Sequence, residues 1–220
     1  MDIVAIPDIH GDINKLRKLA TQLGAADLIL LVGDITNFGR EREITEIIEL
    51  IRPWNSNILA IPGNCDFPPV ARYLDQQGLN IEAGHRIVDG IGFLGLGAAL
   101  YSPSRGTPNE VSEEELAKNL QRAITGFPED MPMVLVSHQP PRDTAADRVK
   151  QGLHVGSRSV RQFVEQYQPL VCFTGHIHEG AGIDAIGETQ IVNPGPFFRG
   201  HYATACINGQ LEQLAIETIS

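Results

Sequence analysis

Residues 1–12 read Met1-Asp2-Ile3-Val4-Ala5-Ile6-Pro7-Asp8-Ile9-His10-Gly11-Asp12. Ile3 to Ile6 is a short apolar run with the composition of a buried strand. Asp12 is placed to cap a helix whose apolar positions are Leu16, Leu19, Ala20 and Leu23, with Gly24 as its end. Leu28 to Val32 is a second apolar strand, Arg42 to Ile51 an amphipathic helix that stops before Pro53, and Asn57 to Ile61 a third strand. A β-α-β-α-β start of this kind predicts parallel strands joined by helical crossovers.

The remainder is less regular. Ile81 to Leu96 reads as a glycine-rich hairpin region and 102–110 as a loop. Ser112 with Glu115 forms a capping box, and Val111 with Leu116 a hydrophobic staple, for the helix that follows. Met133 to Ser137 is a strand, Gln139 to Val155 a long polar loop, and Ser157 the cap of a helix reaching about Gln168. Leu170 to Thr174 is another strand, and the tail from Gly182 alternates like three or four antiparallel strands. With 220 residues, no repeat and no linker, the chain reads as a single domain over 1–220.

Composition narrows the function classes. The net charge of −10 argues against a basic face that tracks extended nucleic acid. It leaves a small phosphorylated substrate open, because bound divalent ions can invert the local sign. Cys65, Cys172 and Cys206 are few, odd in number and far apart, as free thiols in a reducing compartment would be. Neither a signal-peptide pattern nor an apolar run of about 18 residues is visible, so the expectation is a cytoplasmic protein without a membrane partner. Homo-oligomerisation stays open.

Five short motifs follow apolar strands: Asp8-Ile9-His10, Gly33-Asp34, Gly63-Asn64-Cys65-Asp66, Ser137-His138 and Gly175-His176-Ile177-His178. Polar residues at the carboxyl ends of α/β strands converge on the usual ligand crevice. Carboxylate, imidazole and amide oxygen suit Mn, Fe, Zn, Ni or Co. A carboxylate can bridge two ions, and ions about 3.5–4 Å apart can acidify a shared water and hold phosphoryl oxygens during in-line attack. Gly-Asp or Ser-His alone carries no information, and an aspartate in a turn is commonly a cap. Gly-His-x-His arises by chance in roughly one chain of this length in seventy, taking Gly near ~7% and His near ~3% of residues. The ordered series of five is what makes coincidence a poor account. Gly92 to Gly97 lacks the spacing of a dinucleotide fingerprint, and no Walker A sequence is present.

The series resembles the calcineurin-like metallophosphoesterase superfamily, whose pattern is D-x-H, G-D, G-N-H-[ED], H, G-H-x-H. Asn193-Pro194-Gly195-Pro196 also resembles the close of that domain. The resemblance implies a four-layer αββα sandwich and two divalent ions, with manganese as first choice and Ni, Co, Fe, Zn or Mg as alternatives. It further implies that Asp8, His10 and His178 hold one ion, Asn64, His138 and His176 the other, and that Asp34 bridges. Asp34, Asn64 and His138 are then the candidate catalytic residues, with a hydroxide held between the ions attacking phosphorus. Cys65 stands where most of the superfamily has a histidine thought to protonate the leaving group, and Gly-Asn-Cys-Asp resembles a small prokaryotic branch associated with phosphodiesterase activity. A thiol is a weak donor, so diesters and activated esters are the expected substrates.

Three further residues are candidate substrate contacts. Cys65 could line the pocket or simply pack, and Asn37 could reach the phosphate or simply hold a turn. His154 lies beside Gly156-Ser157 at a predicted helix start, where backbone N–H groups favour anions. Asp66 reads as a turn or supporting residue. Two rival functions remain: a metal-binding scaffold of the same fold, and a nucleotide phosphomonoesterase or pyrophosphatase.

Overall fold

Strand alternation divides the interior of this chain into three apolar layers. The computed structural model describes residues 1–103 and 106–219. In β1 (Asp2–Ile6), β2 (Leu28–Val32) and β3 (Ile58–Ile61), successive side chains go to opposite faces of the sheet. Val4, Ile6, Ile29, Leu31, Ile58 and Ala60 pack on one side against α1 (Ile13–Lys18), α2 (Ala20–Ala25), α3 (Glu41–Ile51) and α4 (Pro68–Gln76). Ile3, Ala5, Leu28, Leu30, Val32, Leu59 and Ile61 point the other way, into a second sheet.

That sheet contains β4 (His85–Val88), β5 (Ile91–Leu96), β8 (Met133–Ser137), β9 (Val171–Thr174), β10 (Gly182–Ile186) and β11 (Thr189–Asn193). Between β5 and β8 lie the short pair β6 (Ala99–Leu100) and β7 (Glu110–Val111) and the helix α5 (Glu113–Ile124). Phe93, Val134, Val136, Val171, Phe173 and Val192 meet the first sheet. Leu94, Leu96, Leu135, Cys172 and Ile191 face outward to α5 and α6 (Arg158–Tyr167). The result is helices, sheet, sheet, helices: the four-layer αββα sandwich. The remaining strands, β12 (His201–Ile207) and β13 (Leu211–Thr218), complete the first sheet in the order β13-β12-β1-β2-β3, and the second runs β10-β11-β9-β8-β5-β4.

Strands β1, β2 and β3 are parallel to one another, as are β5, β8 and β9. Their carboxyl ends therefore gather the loops that carry the motifs. Asp12 caps α1, accepting from the Lys15 N–H at 3.0 Å, and Ser157 caps α6, accepting from Val160 at 3.1 Å.

Several expectations are corrected. The first predicted helix is two short ones meeting at Leu19, and the second runs past Gly24 to Ala25. Helix α4 had no counterpart in the sequence reading, although Pro68 and Pro69 at its first turn and Val70, Tyr73 and Leu74 on its buried face mark it. The capping box is half made: Ser112 Oγ accepts from the Glu115 N–H, while the Glu115 carboxylate lies 3.8 Å from Lys118. Gln139 to Val155 contains a 3-10 turn at Ala145–Asp147. The tail supplies four strands split between the sheets, because β10–β11 extends one and β12–β13 the other. Ser104 and Arg105 of the predicted 102–110 loop lie outside the described residues.

Phe93 is fully buried between the sheets. Phe93→Ala should lower unfolding free energy by about 3–5 kcal/mol, read as a reduced urea midpoint with unchanged slope. A loss below about 1 kcal/mol would mean that the two sheets close over the missing ring.

Candidate metal centre

The motif residues occupy the loops that follow β1, β2, β3, β8 and β9. Backbone bonds tie these loops together: Asp8 N–H donates to Gly33 C=O at 3.1 Å, His10 to Asp34 at 2.9 Å and Gly11 to Ile35 at 3.1 Å. Asp8, His10, Asp34 and His176 all hold positive φ, between 47° and 64°. Such conformations cost of order 1–3 kcal/mol each in a non-glycine residue and persist only where the surroundings hold them. Two glycines make the convergence possible. A Cβ on Gly33 would collide with the His138 ring, and one on Gly63 would collide with the backbone N and carboxylate of Asp34.

Among the described residues, three groups of donor atoms lie within 4.8 Å of one another: Asp8, His10 and His178; Asp34, His138 and His176; and His10, Asp34 and Cys65. Asp34 faces both histidine sets with different oxygens, Oδ2 3.7 Å from His10 Nε2 and Oδ1 3.5 Å from His138 Nε2. His178 Nε2 lies 3.4 Å from Asp8 Oδ1. Asp8 also accepts from the His176 backbone N–H at 3.1 Å.

These residues fit a metal ion on two independent observations. His10 Nε2 is buried and has no hydrogen-bond partner, an expensive condition unless something electron-poor occupies the space. The second concerns His138. Its Nδ1 faces the Val32 carbonyl at 2.9 Å, which can only accept, so Nδ1 carries a proton. Its Nε2 faces Asn64 Oδ1 at 2.9 Å, another acceptor. Two lone pairs at that separation need a proton or a cation between them.

Electrostatics match. Burial opposes charge on His138, but Asp34, with Asp8 and the Val32 carbonyl, outweighs it and raises the pKa to about 9. His176 is pushed down to about 4, first by burial and then by the charge of His138, and burial lowers His10. For Asp34, burial is again the largest influence and opposes ionisation. The His138 charge and hydrogen bond, the Cys65 N–H and His10 overcome it, and the carboxyl stays well below its ordinary value.

Around the clusters, Asp66 accepts from Gly63 N–H (2.8 Å), Ile35 N–H (3.1 Å), Thr36 N–H (2.8 Å) and Thr36 Oγ1 (2.7 Å), which welds the loop after β3 to the loop after β2. The Cys65 sulfur joins the group with His10 and Asp34, so it faces the cleft. Burial and the Asp34 charge push its thiol far above the ordinary value, and it stays protonated. Asn37 lines a cavity with His10 and His178. His154 belongs to none of these groups of donor atoms: its Nδ1 lies 2.7 Å from the buried Asp147, which also accepts from Thr144 and Gly156 N–H and so organises the 139–155 loop. His85 bonds the Ala123 carbonyl and His201 meets Thr218, outside the clusters.

Three residues near the site were missed in the sequence. Asn109 donates to Gly63 C=O by its side chain and to Asn64 C=O by its backbone. Asn193 donates to the carbonyls of Ile177 (2.9 Å), Ala146 (3.1 Å) and Gly175 (3.4 Å). Phe198 packs edge-on against His10 and His178. For the last two, the Asn193 to Pro196 segment was the available signal.

Fold and site together define an α/β protein with a carboxylate- and histidine-rich cleft at converging strand ends. The family profile "Calcineurin-like phosphoesterase" matches residues 1–180, and the chain belongs to this metal-dependent family. It is 37% identical over 201 residues to the uncharacterized protein MJ1162 of Methanocaldococcus jannaschii, covering 89% of this chain and 88% of the relative. A 3′,5′-cyclic adenosine monophosphate phosphodiesterase, CpdA, of Haemophilus influenzae is 24% identical over 189 residues, with 81% of this chain and 64% of that protein covered. The crystal structure of TT1561 of Thermus thermophilus shares the fold, with a TM-score of 0.78 at 19% identity, over 100% of this chain and 99% of that one. Among the described residues, no helix is long and apolar enough to cross a membrane.

If His138 Nε2 holds a proton up to about pH 9 without metal, an ion must displace it. Affinity at the His138 group should then fall as pH drops below 9. Calorimetric Mn²⁺ titrations at pH 7.5, in buffers of different ionisation enthalpy, should show release of about one proton. No release would mean that Nε2 is already bare.

Proposed function

We propose that this chain is a two-metal phosphodiesterase acting on small phosphate esters. Asp8, His10 and His178 would hold one ion, Asn64, His138 and His176 the second, and Asp34 both. The observation that carries the reading is the Asp34 carboxylate, whose two oxygens address two different histidine sets at 3.7 and 3.5 Å. When bound, the ions supply a nucleophilic water of lowered pKa and neutralise charge on the phosphoryl oxygens. The protein's part is placement. Val32 C=O fixes the His138 tautomer, Asp66 fixes the loops carrying Asp34 and Asn64, and the Asp8 carboxylate accepts the His176 N–H. Manganese is the first candidate for a site of nitrogen and oxygen donors that suits several ions. The phosphodiesterase among the relatives supports the diester preference. The free thiols Cys65, Cys172 and Cys206 fit a reducing cytoplasm.

Protein assayed with bis(4-nitrophenyl) phosphate and Mn, Ni, Co or Mg should show metal-dependent hydrolysis. Asp34→Asn should lower kcat/KM by about 10²-fold or more, because it weakens both ions, and Asn64→Ala by about tenfold. A protein that hydrolyses no ester with any of these ions, whether or not it binds them, would overturn the enzyme reading in favour of a scaffold of the same fold. Near-normal turnover in Asp34→Asn would remove the bridge.

Cys65 bears on ester choice. A protonated, buried thiol gives little help to a leaving alkoxide, whereas a monoanionic diester with an activated leaving group needs none. General acid help is typically worth about 10²–10⁴-fold. Cys65→His should therefore raise the ratio of monoester to diester kcat/KM, with metal content measured in both proteins. A flat or falling ratio in a fully loaded mutant would show that position 65 does not face the leaving group.

A further inference from the structure

Beside the first donor cluster opens a cavity of about 540 Å³, lined by His10, Gly11, Asp12, Asn37, His178 and Phe198. Its size suits a compact organic group. Two liners are candidate metal ligands, so whatever fills the cavity abuts a phosphate held at the metal centre. Phe198 is its one aromatic wall outside the ligand set. The ring is half-buried and edge-on to His10 at 5.3 Å and to His178 at 5.2 Å. Its backbone is pinned: Phe197 N–H donates to Pro7 C=O at 3.0 Å and Phe198 N–H to Asp8 C=O at 3.3 Å. The ring is thus positioned by the same loop that carries Asp8 and His10.

We propose that this cavity is the subsite for one ester arm, and that it takes a flat aromatic group with hydrogen-bonding edges, as a nucleobase has, against Phe198. The proposal rests on the phosphoesterase reading and adds the class of arm. An aromatic arm gains ring packing on Phe198, and the exposed Arg199 guanidinium, 5.6 Å from the centre of that ring, favours a π-rich neighbour. Asn37 is exposed at the cavity and can donate to or accept from a heterocycle edge. The Asp12 carboxylate at the cavity is paired with the Lys15 ammonium at 2.9 Å, so the arm meets no bare charge there. An acyl chain is disfavoured because the other liners are polar or glycine, and it would bury their groups without partners.

The test is calorimetric binding of methyl phosphate, phenyl phosphate and adenosine 5′-monophosphate to the full, Mn-loaded chain, with metal content measured. All three ligands are phosphate monoesters, so the metal contribution largely cancels in ratios. Phenyl phosphate and the nucleotide should bind at least about tenfold tighter than methyl phosphate. Phe198→Ala and Phe198→Leu should bring the ratios to about twofold or less, and Phe198→Tyr should keep them. Equal binding of the three ligands by the unaltered protein, or a tenfold ratio that survives Phe198→Leu, would overturn the subsite. Binding does not depend on turnover: loss of diester hydrolysis with the ratios intact would strike the phosphodiesterase reading, and hydrolysis with flat ratios would strike only the subsite.

Discussion

Two buried carboxylates govern this structure. Asp8 and Asp34 are 1% and 2% exposed, and both stand within 4.0 Å of the same His10 nitrogen. Removing such charges from water costs several kcal/mol each unless cations and hydrogen bonds compensate. Four histidines surround them, but burial lowers the pKa of two of these, His10 and His176, and so favours their uncharged form. His138, whose pKa Asp34 and Asp8 raise against the opposing effect of burial, brings positive charge to this pair, and the lowered His10 and His176 do not match it, so the buried carboxylates are left short of compensation. Divalent ions answer that deficit, and the positive-φ residues and space-making glycines serve to crowd these groups despite it.

The same imbalance explains how an anionic protein can address an anionic ester. A net charge of −10 would repel phosphate if spread evenly. Carboxylates that hold cations at the cleft no longer present that charge to the ester, and bound divalent ions can make the site locally positive. Substrate preference is then divided. On the proposed reading, the metal groups would address the phosphate whatever it carries, and ester choice would fall to Cys65 and the walls of the adjoining cavity.

Legibility in the sequence followed how local each determinant is. β2 and β8 were read to the residue because a run such as Leu28 to Val32 buries every side chain whatever its neighbours do. The ligand candidates were legible because each motif is a short string just after a strand. Helix α4 was not, since Pro68-Pro69 resembles a loop until the apolar face behind it is weighed. The tail defeated the reading for another reason: its alternation is equally consistent with one sheet or two, and only long-range pairing of β12 with β1 and β11 with β9 decides. For His154, read as a candidate substrate contact, the sequence could not show that Asp147 holds its Nδ1. Phe198 was marked only by the Asn193 to Pro196 segment just before it, which does not show that its backbone N–H will be tied to Asp8 C=O in the first motif loop.

Asp66 shows why the third motif can lose its histidine without losing the site. If its carboxylate served mainly to orient an imidazole at position 65, replacement by cysteine would leave it without work. Its oxygens instead accept four donors from Gly63, Ile35 and Thr36, none of them at position 65. Those bonds fix the loops that present Asn64 and Asp34. What position 65 contributes to the same frame is its backbone N–H, which donates to Asp34 Oδ1 at 2.7 Å and which any residue but proline would supply. The scaffolding role of the motif is therefore carried by Gly63, Asp66 and main chain. The side chain at 65 lies with His10 and Asp34 and takes no part in that scaffolding, so on the proposed reading a change from imidazole to thiol would alter leaving-group chemistry while the loops stand unchanged.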